Sequence, residues 1–234
     1  MRKPLAWIAL SSAAGLGIYA LARWGYPVVA RTFEVYDVPD GPLEDVPEPP
    51  DRADVQGEED GEGARFHRTY SVTIRGSDLE AEGLMAQVKK DVQRFVPDEV
   101  ARFEKTVGAG DQMSVGDEYH IHISAPWDGP VRVGEVTDTS FTLVTLEDHL
   151  EAGQIRFTAS DLEGGGVGGD LHFVIESWAR SRDAVVDVMY DDLGIAKKAQ
   201  QAMWTFFCNR VVEVSGGEAV GEIEVVTERE ADDA

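Results

Sequence analysis

In "AKKAQQAMWTFFCNRV", residues 196–211, the apolar side chains of Ala196, Ala199, Met203, Phe206, Phe207 and Val211 recur every three or four residues. That spacing predicts one amphipathic helix, with the helical pattern setting in from about Val185. The stripe spans about 16 residues, roughly 24 Å at 1.5 Å per residue, which is long enough to cross a whole sheet. One long helix cannot bury its stripe against itself, so the chain before it must supply a receiving surface.

That surface reads as strands. In "RFHRTYSVTIRG" (65–76), Tyr70, Val72 and Ile74 alternate with Thr69, Ser71 and Thr73. Ser77 and Glu80 are spaced as a capping box, and Ala81, Met85, Val88, Val92 and Phe95 form a core-facing stripe that Pro97 ends. "DEVARFEKT" (98–106) reads as a second short helix with Val100 and Phe103 inward, and Gly108 and Gly110 then break the chain. Five strands follow: "VGDEYHIHIS", "PVRVGEV", "SFTLVTLE", "QIRFTA" and "LHFVIESWAR". Their short connections predict an antiparallel meander. The expected fold is therefore α+β: a curved antiparallel sheet wrapping the C-terminal helix, a helix-grip arrangement with a cavity between the two.

The segments "FHRTYSVTI", "VGDEYHIHISAPWDGPVRVGEV", "SFTLVTLEDHLEAGQIRF", "FVIESWARS" and "AQQAMWTFFCNRVVEVSGG" resemble the domain-of-unknown-function family nineteen-ninety. The similarity covers most of 65–217, and the T-L-x-x-H-x-E-A-G-x-I-x-F run and the S-W-A-R-S segment are its best markers. The family is similar in layout to the START-like (Bet v 1-like, polyketide-cyclase-like) superfamily. The resemblance implies that superfamily's fold and a hydrophobic-ligand cavity. It implies no catalytic residue, since the family has none assigned.

Charge marks the expected boundaries. Residues 1–32 balance to +4, residues 33–63 to −11, residues 64–216 to −10 and residues 217–234 to −6, within a total of −23. We read 1–32 as a membrane anchor, 33–63 as an acidic Pro-rich disordered linker, 64–216 as the helix-grip domain and 217–234 as an acidic disordered tail. Between Lys3 and Arg23 the chain is uncharged, which at residues 4–22 approaches the ~20 apolar residues of a transmembrane helix. Ala20-Leu21-Ala22 also offers a signal-cleavage site as the alternative. Arg2 and Lys3 favour a cytoplasmic N-terminus, so a single-pass type II protein with an extracytoplasmic domain is expected. Such a negative surface repels phosphate backbones and excludes nucleic acid as a partner. Acid excess with few lysines fits a proteome adapted to high salt; an acidic protein of an ordinary-salt cell is the alternative.

The chemical candidates are few. His120 and His122 share a strand face, with His172 and Glu176 in phase elsewhere. A metal site and a solvent-facing pair both fit, and the apolar alternation of Tyr119, Ile121 and Ile123 favours the second. "GGGVGGD" (164–170) lacks the Gly-Lys-Ser/Thr ending of a phosphate loop and reads as a hairpin connection. Arg180 and Arg182 fit ion pairs with nearby acids, or anchorage of an anionic group. Trp178, Trp204 and Cys208 read as core. In "TLEDHLEAGQIRFTA" (145–159), Glu147 to Gly153 reads as a turn with a structural job, and a place for His149 at the cavity rim is the alternative.

The sequence assigns no catalytic residue, metal or cofactor. The candidates for lining the cavity are Tyr119, Trp127, His149, Phe141, Phe157, Phe173, Met203 and Phe207. The expected function is membrane-tethered binding of a lipid-like or other hydrophobic small molecule. The alternatives are a cavity enzyme of cyclase, dehydratase or hydrolase type, with Tyr119 its one titratable candidate, and a scaffold that recruits partners through the acidic extensions.

Overall fold

A computed structural model describes residues 30–38, 54–98, 100–123, 129–162, 166–181 and 195–230. The chain builds a ten-stranded sheet against two helices. In order these are β1 (Ala30–Val38), β2 (Glu62–Arg75), α1 (Ala81–Lys90), β3 (Ala101–Val107), β4 (Glu118–Ile123), β5 (Gly129–Val136), β6 (Ser140–Thr145), β7 (Glu151–Asp161), β8 (Leu171–Ser181), α2 (Ile195–Ser215), β9 (Glu218–Ala219) and β10 (Ile223–Glu230). Strands β4 to β8 form the expected antiparallel meander, β3 extends it by one strand, and β2 pairs with β8. Beyond β2 the sheet continues through β10 to β1, the last pair being parallel.

The inner face of the sheet receives α1 and α2. Phe207 of α2 is fully buried and stacks on Phe95 and Phe173, with ring centroids 5.3 and 6.0 Å away, while Phe157 lies 5.2 Å off. Phe157 stacks in turn on Phe141 at 4.5 Å. Each such buried ring contributes about 2–3 kcal/mol of transfer free energy, so this cluster anchors the helix to the sheet. The C-terminal end of α2 is tied as well: Asp78 N–H donates to the Ser215 carbonyl at 2.8 Å.

Five expectations need correction or restriction. "DEVARFEKT" is not a helix: its described part carries β3, paired antiparallel with β4. Ala101 and Phe103 face inward while Arg102 and Glu104 are exposed, a two-residue period that Val100 and Phe103 disguise as a helical one. Ser77 does not cap α1, which starts at Ala81. Ser77 is held in the sheet by the glycine connection, its N–H donating to the Gly169 carbonyl at 2.8 Å and its carbonyl accepting from Gly168 at 2.6 Å. The cap comes from a distant strand, as the Asp161 carboxylate accepts the Ala81 N–H at 3.2 Å.

The segment 217–234, read as a disordered tail, holds β9 and β10, and the segment 33–63, read as a disordered linker, begins within β1 and ends within β2. In the tail, Ile223 and Val225 are buried and Glu224 is exposed, so a strand's alternation was hidden by the summed charge. The proposed anchor at 4–22 lies outside the described residues. Among the described residues no helix is long and apolar enough to cross a membrane.

Candidate functional site

Strand register sorts the inner face into rows running across the sheet. One row reads Val225, Tyr70, Ile175, Phe157, Phe141, and it is almost entirely apolar. The next row towards the rim reads Thr227, Arg68, Ser177, Ile155, Leu143. The one beyond reads Arg229, Phe66, Ala179, Gly153. Polarity therefore steps up sharply over one residue pair along the strands. The small side chains of Ser177, Ala179 and Gly153 keep the floor low beside that step. Gly153 is obligatory, since a Cβ there would stand 2.0 Å from the Trp178 carbonyl oxygen.

Arg68 is the centre of this end. It is only 4 % exposed, and its guanidinium lies 4.7 Å from the centroid of the Phe66 ring, which Arg229 approaches to 5.9 Å. Its Nη1 donates to Gln200 Oε1 of α2 at 3.1 Å, and Glu151 Oε1 stands 3.9 Å away. Gln200 Nε2 in turn reaches both Glu151 oxygens at 3.3 Å. A guanidinium carries several N–H donors, and one hydrogen bond and one long ion pair are the polar contacts described for it. Tyr70 lies two residues along the same face. Burial pushes its phenol far above the ordinary range and the Arg68 charge opposes that rise, so at neutral pH Tyr70 is a protonated donor. One turn beyond Gln200, the buried indole N–H of Trp204 has no hydrogen-bond partner.

The outer face of the same strand carries a different cluster. His67 Nδ1 is 2.7 Å from Glu228 Oε2 of β10, and Nε2 is 3.8 Å from Glu176 Oε1 of β8. The imidazole stacks nearly parallel on Trp178, centroids 5.1 Å apart, with Arg156 over that indole at 5.6 Å. Burial, the largest single influence, pulls the His67 pKa down, but the two carboxylates together outweigh it and the net direction is up.

Phe141, Phe157, Phe173, Met203 and Phe207 are brought together in the core, where the rings touch one another. Tyr119 belongs to the same core but sits at its far side, with the Lys105 ammonium 5.5 Å from its ring. Burial raises its phenol and Lys105 lowers it, with a net rise. His149 lies in the turn before β7, where its Nδ1 accepts the Glu151 N–H at 3.0 Å. Gln56 Nε2 bonds the carbonyls of His149 and Glu151, each at 2.8 Å. Its ring thus holds the turn in shape. Trp127 and Arg182 lie outside the described residues. Arg180 shares the outer face with Glu176 and Trp178, away from Arg68. The thiol of Cys208 is fully buried, and burial raises its pKa. His120 and His122 lie with rings 4.6 Å apart, His122 bonding Glu104 at 3.1 Å. Among the described residues, no group of three or more His, Cys, Asp or Glu side chains is placed to hold a metal ion.

Sequence reading missed Arg68, Gln200, Ser177 and the inward role of Glu151. Each was in phase with an apolar set: Arg68 with Tyr70, Val72 and Ile74; Glu151 with Ile155 and Phe157; Ser177 with Phe173 and Ile175. A polar or charged residue in phase with a core stripe was the signal that could have found them.

A large, mostly antiparallel sheet against a long C-terminal helix fits the helix-grip arrangement expected from the sequence. No family model and no curated protein matches the chain. Solved structures do. The Zhui aromatase/cyclase from Streptomyces sp. R1128 is 13% identical, with 65% of this chain and 94% of that chain covered at a TM-score of 0.48. The hypothetical protein jhp0584 from Helicobacter pylori is 10% identical over 63% of this chain and 86% of its own, at 0.46. A Thalictrum norcoclaurine synthase point mutant is 10% identical over 65% and 98%, at 0.44.

Proposed function

We propose that this chain is a membrane-tethered, non-catalytic domain that holds a hydrophobic small molecule between the inner face of the sheet and α2. The observation that carries the reading is the step in polarity beneath α2. An apolar row at Tyr70 gives way within one residue pair to Arg68, Ser177 and Thr227, and Gln200 faces them from the helix. Such a surface matches a molecule with an apolar body and one polar end. The protonated state of Tyr70 favours binding over base catalysis, because a phenol held above its normal range donates rather than accepts a proton. The tether rests on the uncharged run at 4–22, and the basic residues before it favour the type II orientation.

The test is to incubate the purified full-length chain with a total lipid extract, reisolate it and identify what co-purifies by mass spectrometry. Stoichiometric recovery of one lipid class is expected. Repeated recovery of empty protein contradicts the proposal.

A further inference from the structure

The chain carries a net charge of −23, yet the polar end of its inner face buries a guanidinium, Arg68, over the Phe66 ring with its nearest described carboxylate oxygen 3.9 Å away. Arg68 is almost wholly buried there and its described partners are a neutral amide and a carboxylate 3.9 Å away. A buried cation without close, complete pairing is costly, and proteins keep such groups where a second anion completes the set. The donors converging on this end, the Arg68 guanidinium and the Tyr70 hydroxyl, both suit an oxyanion, and the planar fork of Arg68 suits a carboxylate best. We infer that this end binds the carboxylate of an amphipathic anion of fatty-acid type, with its hydrocarbon part lying on Ile155, Met203 and Trp204. Arg68 supplies the charge and Gln200 orients it from α2. Glu151 acts as the internal competitor: its carboxylate draws on Gln200 and the guanidinium until the ligand's own carboxylate arrives. This inference rests on the binding reading above and adds the chemical class of the ligand to it.

The experiment titrates the full-length chain calorimetrically with dodecanoate, dodecanol and dodecyltrimethylammonium, each below its aggregation concentration, at about pH 8 where the acid is ionised. Dodecanoate is expected to bind at least about tenfold more tightly than dodecanol, and the cation more weakly still. Arg68→Gln should abolish the advantage of the acid over the alcohol. Glu151→Gln, which removes the competitor and leaves the cation, should widen it about threefold or more. The opposite signs keep the test decisive even where one variant folds poorly. Equal affinities for acid and alcohol, or an advantage that Arg68→Gln leaves intact, overturn the inference while leaving hydrophobic binding in place. Failure of all three probes to bind overturns the binding reading itself.

Discussion

His67 and Arg68 are neighbours on β2 and face opposite sides of one sheet, yet their surroundings differ in kind. His67 is closed in: a carboxylate at 2.7 Å on one nitrogen, another at 3.8 Å on the other, and an indole stacked beneath. Arg68 is left open, with one neutral hydrogen bond and a carboxylate at 3.9 Å. The outer cluster joins three strands, β10, β2 and β8, and the His67–Glu228 contact is its one close ionic pair. The inner cluster is adjacent to the helix and its strongest donor lacks an adequate acceptor. The close His67–Glu228 contact contributes to the fold although His67 Nε2 is buried without a hydrogen-bond partner, whereas the longer ionic contact of Arg68 contributes less and leaves the guanidinium available to a ligand.

The comparison breaks most visibly at Trp178, the platform of the outer cluster, which is 1 % exposed. Trp178→Ala should destabilise the chain by about 3–5 kcal/mol in urea unfolding, while the acid-over-alcohol preference of the folded fraction stays unchanged. A changed preference would show that the two faces are not independent. Next comes Glu228→Gln, which removes the close partner of His67. It should lower stability by about 1–2 kcal/mol and speed amide exchange in β10 and β1, which reach the rest of the sheet through β2. Unchanged exchange there would mean that the clasp does not hold the edge.

The pH dependence carries its own sign. The folded-state pKa of His67 lies above its ordinary value of 6.5, so the protonated imidazole stabilises the fold fully below that value. The contribution is lost as pH rises through the raised pKa. The unfolding midpoint should therefore fall as pH rises above about 6.5, and His67→Gln should flatten that fall. Glu176, Glu228 and Arg156 are the charged groups gathered around this ring and its indole platform. By contrast, Arg68→Gln should alter stability by less than about 1 kcal/mol, because an incompletely paired buried charge offsets much of its own benefit. The smallest effect on binding belongs to His149→Ala. It removes the acceptor of the Glu151 N–H and should cost about 1 kcal/mol of stability, with ligand affinity nearly unchanged.

Much of this architecture was legible in the sequence because periodicity survives wherever one face of an element is buried. The stripe from Ala196 to Val211 gave α2, and the alternation through β4 to β8 gave the meander. The T-L-x-x-H-x-E-A-G-x-I-x-F run proves structural throughout. Thr145 accepts the Gly153 N–H at 2.9 Å, His149 holds the turn, Gly153 fits beneath the Trp178 carbonyl, and Phe157 enters the core. Its glutamate, Glu151, is the charged member that turns towards the candidate site, beside Ile155. Legibility failed where the pattern was short or overlaid by charge. β3 is too brief to separate a period of two from one of three and a half, and β10 alternates glutamates with its buried Ile223 and Val225. The Arg68 site was missed for a further reason. It depends on side chains from β2, β7 and α2 meeting in space, and only sheet register brings Glu151 within reach of Arg68.

The account places a hydrophobic ligand on the inner face, under α2. Isotope-filtered nuclear Overhauser spectra of the labelled full-length chain with unlabelled dodecanoate test this most directly. Contacts from the ligand methylenes to the Met203 methyl and the Trp204 ring, with none to Trp178, are the predicted result. Contacts confined to the outer face around Trp178, or a saturated complex with no contact to Met203 or Trp204, would contradict it.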